Sequence, residues 1–166
     1  ATLAIADWPG PVYMRLGRYP VPRILDQHHT FVIGKASALR EGTDIVIFAT
    51  GHMVCKGLEA AELLAREHIE STVINVSTVK PLDEETIRQS AANVTLAVTI
   101  EEHSVIGGLG SAVAECLTDG VMSAPLLRLG VQDRFGESGL ADELLEKHGL
   151  QPHGICDSIR QALDRR

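Results

Sequence analysis

Three polar residues in a row, Glu101, Glu102 and His103, form the densest cluster of acid–base groups in this 166-residue chain. They follow an apolar run, Val94 to Ile100, that is rich in β-branched residues. Such a run is too short for a typical helix and suits a strand buried on both faces. Gly107, Gly108 and Gly110 come next, and a helix of small residues is predicted from Ser111 to Leu117. In open parallel sheets, ligand and partner sites gather where strands end and helices begin. Adjacent residues cannot all face one point, so at most two of the three act together. The cluster reads as an acid–base pair, as an interface with another domain or subunit, or as a solvated turn. The interface is the preferred reading of Glu101, Glu102 and His103.

The glycine turn also has two readings. Glycines let backbone N–H groups approach an anion at a helix N-terminus, which makes a phosphate cradle. They equally serve a tight strand-to-helix turn with no ligand. Neighbouring carboxylates repel a phosphate, which favours the plain turn. The spacing Gly107-Gly108-x-Gly110 is not GxGxxG, and no GxxxxGK[ST] occurs.

Arg18 stands apart from this cluster. It follows a predicted strand, Pro11 to Leu16, lies beside Gly17, and precedes Pro20-Val21-Pro22. A guanidinium there suits an anionic group, since it meets phosphate in bidentate fashion. His28 and His29 fall in a linker and read as solvated, while His52 opens a helix and either meets a carboxylate or faces water. No GxSxG, HExxH or HxxxH spacing occurs, so neither a serine nucleophile nor a metal site is expected.

Composition narrows the classes. Hydrophobic residues make up 45% and aromatics 4%, which predicts an aliphatic core. The net charge of −7 and the lack of a basic run argue against a nucleic-acid surface. No apolar run approaches the roughly 20 residues of a membrane span. No signal peptide is seen. Cys55, Cys116 and Cys156 are odd in number and form no CxxC, and read as buried free thiols of a cytoplasmic protein.

The elements that must position these residues follow from periodicity. TLAIA reads as a helix end, and residues 1–22 as the tail of an upstream domain. Residues 23–30 read as a linker and 31–166 as the main domain. Strands are predicted at Phe31–Ile33, Ile45–Ala49, Thr72–Val76, the run before Glu101, and Leu126–Leu129. A hairpin arm is predicted over 34–39. Helices are predicted at Met53–His68, after Asp83 as N-cap, at Ser111–Leu117, at Ser138–Lys147 with Gly149 as its stop, and at Pro152–Leu163. The alternation gives an α/β fold of three layers, with a mostly parallel five-stranded sheet and an antiparallel edge.

Five segments in order then resemble the transketolase family. GPVYMRLGR resembles the end of its pyrimidine-binding domain. IVIFATGHMVCKGLEAAELL, INVSTVKPLD, TIEEHSVIGGLGSAVAE and LGVQDRFGESGLADELLEKHGL resemble its C-terminal domain. The resemblance implies ketol transfer between sugar phosphates in a homodimer, with thiamine diphosphate and Mg²⁺ held by upstream domains or a separate subunit. It implies no catalytic residue and no cofactor in this chain alone, and a phosphate contact for Arg18. The alternatives are the equivalent part of 1-deoxyxylulose-5-phosphate synthase or of a 2-oxoacid dehydrogenase E1 β chain. A reading from another class is a stand-alone module for small-anion binding at the Gly107–Gly110 turn, or for oligomerisation.

Overall fold

Short β-branched blocks and longer amphipathic blocks alternate along the chain, and a sheet between two helical layers buries both kinds of apolar face. The computed structural model has this arrangement and describes residues 1–17, 20–119 and 124–165. Five strands form the sheet: β1 (Ser37–Arg40), β2 (Ile45–Ala49), β3 (Ser71–Asn75), β4 (Leu96–Ser104) and β5 (Leu126–Val131). Their order is β1-β3-β2-β4-β5, and every pairing is parallel except β1 with β3.

The centre of the sheet is fully buried along β2, as its unbroken apolar sequence IVIFA requires. Alternate side chains of this strand serve two cores. Ile45, Ile47 and Ala49 pack with α2 (Met53–Ala65) and α6 (Pro152–Asp164). Val46 and Phe48 face α3 (Glu84–Ala91) and α4 (Leu109–Thr118). Burying each of the larger side chains stabilises the fold by about 1.5–3 kcal/mol. A short helix, α5 (Ala141–Lys147), adds Leu145 to the first core, and Gly149 at φ +67° ends it. The three cysteines are buried and unpaired, and burial pushes their thiols up.

The antiparallel edge arises from the predicted hairpin arm, not from Phe31–Ile33. Those three residues form no strand; Lys35 N–H closes a turn on the Val32 carbonyl. Asp83 ties the arm to the body. It caps α3 through the Thr86 N–H and also accepts from the Ala36 N–H at 3.0 Å. Burial acts to raise its carboxyl, but these hydrogen bonds and nearby Lys35 outweigh it and hold the group below its ordinary range.

At the other end of the chain, α1 (Thr2–Ala6) is the expected helix stub. Pro11–Leu16, predicted as a strand, joins no sheet, and residues 10–17 make no backbone–backbone hydrogen bond among the described residues. Tyr13 is 87% exposed and Leu16 is 76% exposed. Arg18, and Gly120 near the end of α4, lie outside the described residues.

Candidate functional site

The carboxyl ends of β2 and β4 lie side by side where the strand order reverses. β2 leads through α2 to β3 on one side, and β4 leads through α4 to β5 on the other. In open α/β sheets the ligand crevice forms at this point. His52, Glu101, Glu102 and His103 all sit here. β4 runs past its apolar part to Ser104, so the three polar residues belong to the strand and not to the turn after it. The period of two then separates them, with Glu102 facing away from Glu101 and His103.

Glu101 is 2% exposed. Its carboxylate accepts the N–H groups of Leu109 and Gly110, each at 2.7 Å. These are unpaired donors of the first turn of α4, where the helix dipole favours negative charge. The turn between them is built around that contact. Gly107 takes φ +77°, and a Cβ on Gly108 would lie 1.9 Å from Glu101 Oε2. The anion at this helix N-terminus is therefore the chain's own side chain. That overturns the small-anion reading of the Gly107–Gly110 turn, because the donors it needs are already engaged.

His103 is half-exposed, with Nδ1 2.8 Å from the Ser104 carbonyl and 4.0 Å from Glu101 Oε2. Glu102 meets the other side of the junction. Its Oε2 lies 3.1 Å from His52 Nδ1, and its backbone carbonyl accepts a hydrogen bond from Arg15 Nη2 at 3.0 Å. His52 has only 9% of its side chain exposed. Of the two sequence readings of His52, the carboxylate contact is the one observed. The structure thus brings His52 and Glu102 together, on the side of β4 away from Glu101 and His103. The sequence offered a carboxylate contact for His52 but neither Glu102 as its partner nor the part played by Arg15. The only signal was the position of His52 just after a buried strand.

The described residues contain no cluster of three or more His, Cys, Asp or Glu able to hold a metal ion. Two helices, α2 and α4, start beside the polar cluster, and the first N–H groups of α4 are taken by Glu101. No helix among the described residues is long and apolar enough to cross a membrane.

Comparison with known proteins agrees with this architecture. A family profile described as "Transketolase, C-terminal domain" matches residues 34–155. A 6-deoxy-6-sulfo-D-fructose transketolase subunit of Clostridium sp. (strain MSTE9) is 51% identical over 95% of this chain and 48% of its own length. A putative transketolase C-terminal section of Methanocaldococcus jannaschii is 42% identical over 97% of this chain and 51% of its own. A 1-deoxy-D-xylulose-5-phosphate synthase of Caldanaerobacter subterraneus is 42% identical over 89% of this chain but only 23% of its own. Among solved structures, a split-gene transketolase, described as an inactive beta4 tetramer, superposes with a TM-score of 0.91 at 44% identity. That match covers 98% of this chain and 55% of the other. The chain spans about half the length of the first two of these curated relatives. The sheet order, the flanking helices and the profile match over most of the sequence show together that this chain belongs to the transketolase C-terminal domain family.

Proposed function

We propose that this chain is the C-terminal portion of a thiamine-diphosphate-dependent transketolase, a transferase that moves a ketol unit between sugar phosphates. It works with an N-terminal portion or subunit that supplies the thiamine diphosphate and Mg²⁺ site, and it contributes no catalytic residue of its own. The observation that carries this reading is the state of residues 10–17: apolar, exposed and without a strand partner among the described residues. An apolar segment left open in this way suits addition to another sheet.

In this reading residues 1–22 complete the pyrimidine-binding domain, 23–30 link, and 31–166 form the C-terminal domain. Arg18 binds the substrate phosphate by a bidentate, charge-assisted contact. Glu101, Glu102 and His103 lie at the interface with the partner domain. The complete enzyme is a cytoplasmic homodimer of such assemblies. A second reading, 1-deoxyxylulose-5-phosphate synthase, is supported by the 42% identity to that enzyme from Caldanaerobacter subterraneus.

Reconstitution tests the proposal. The chain is assayed alone and with an N-terminal transketolase subunit of the same organism, with thiamine diphosphate, Mg²⁺ and a ketose phosphate donor. Alone it is expected to give neither cofactor binding by calorimetry nor turnover; together the pair transfers ketol units. Turnover by the isolated chain would overturn the division of labour. Reaction with pyruvate in place of a ketose donor would favour the synthase reading.

A further inference from the structure

Two loops leave the sheet side by side at the carboxyl ends of β4 and β5. Ser104 is in register with Val131, and the Val105 N–H donates to the Val131 carbonyl at 3.0 Å. The first loop presents Ile106, 61% exposed, and the second presents Phe135, 99% exposed. Phe48 on β2 is sealed from water, whereas Phe135 has almost nothing of its own chain to pack on.

Ile106 is not exposed through looseness. Its N–H donates to Ser104 Oγ at 3.2 Å. The Val105 carbonyl before it accepts from Ser111 Oγ and from Arg128 Nη1, each at 3.2 Å. The Gly107 N–H after it donates to Ser111 Oγ at 2.9 Å. Hydrogen bonds on both sides hold the backbone while the apolar side chain stands in solvent. A group fixed in this way has already lost freedom that binding would otherwise remove.

Segment 10–17 reaches the same strand end. Arg15 Nη2 donates to the Glu102 carbonyl at 3.0 Å, two residues before Ser104. Val12, Tyr13 and Leu16, near Arg15 in sequence, are exposed. The end of β4 therefore gathers exposed apolar side chains from three parts of the chain. Single exposed apolar residues are ordinary, but several around one strand end mark an interaction site. A specific interface takes about 20–30 residues and about 800 Å² from each partner. Residues 10–17 are too few to supply that, so a partner that takes them must also cover the surface beside them. The two loops are that surface.

We infer, on the reading of residues 10–17 as the segment that joins the N-terminal transketolase portion, that the loops after β4 and β5 belong to the same docking face. Ile106 and Phe135 are its anchors, and the N-terminal portion receives them in an apolar pocket. The interface then extends from an added strand to the domain itself. Aromatic side chains are enriched in such interfaces and bring a large apolar area when a partner removes them from water.

Calorimetric titration of the chain with the N-terminal transketolase subunit of the same organism tests this. Phe135→Ala and Ile106→Ser are each expected to raise Kd about tenfold, as truncation of an interface anchor does. Their urea midpoints stay at the native value, because both side chains are mainly exposed in the chain alone. Tyr13→Ala reports on the segment independently and is expected to raise Kd as well. If Tyr13→Ala weakens binding and neither loop variant does, the docking face falls while the reading of residues 10–17 stands. If Tyr13→Ala binds as the native chain does, that reading falls and takes the docking face with it. Sedimentation of the chain alone separates a second copy from the subunit. Self-association lost in Phe135→Ala, with Kd for the subunit unchanged, would assign the face to a second copy and overturn the inference.

Discussion

A carboxylate removed from water needs partners, and Glu101 finds two in the backbone N–H groups that open the next helix. Glu101→Ala leaves both donors buried and unpaired, and is expected to lower stability by about 2–3 kcal/mol in urea unfolding. Glu101→Gln keeps an acceptor and costs less. Indistinguishable midpoints for all three proteins would remove Glu101 from this role. Asp83 gives a pH dependence. Its carboxyl is held low in the folded state by hydrogen bonds that overcome its burial. A depressed carboxylate contributes stability above its unfolded value, and that contribution is lost as pH falls through the folded value. Stability is therefore expected to decline on acidification below about pH 4, and Asp83→Asn should flatten the decline. An unchanged pH profile in the variant would contradict the assignment.

At the scale of elements, β4, the glycine turn and α4 act as one piece. The carboxylate at the end of the apolar run fixes the helix start, and Gly108 leaves the space the carboxylate fills. Gly108→Ala should therefore be destabilising in the native chain and much less so beside Glu101→Ala, where the clashing oxygens are gone. A double-mutant cycle in urea measures this coupling, expected at about 1–2 kcal/mol; additive effects would mean the two residues are independent. The buried strands were legible because unbroken runs such as Ile45–Ala49 and the run ending at Ile100 have no other stable placement in a chain this size. The end of β4 was not legible. Apolar periodicity stops at Ile100, whereas the strand continues because Glu101 is satisfied by groups eight and nine residues further on. The His52–Glu102 contact was hidden for a similar reason: it depends on which strands are neighbours, and sequence spacing does not encode strand order. Pro11–Leu16 shows the opposite failure. Its strand-like alternation is real, but a strand also needs an edge to pair with, and none within the described residues takes it.

Taken whole, the molecule combines a domain with two well-filled cores and an apolar segment that uses neither. Trp8, Val12, Tyr13 and Leu16 remain exposed while β2 is sealed from water. That contrast underlies the proposal that the chain completes its function against an N-terminal partner. Hydrogen–deuterium exchange over residues 12–17, measured before and after adding that partner, tests it most directly. Fast exchange of these amides is expected in the chain alone and strong protection in the complex, as they enter the partner's sheet. Exchange that stays fast in an active complex, or protection already complete without the partner, would contradict it.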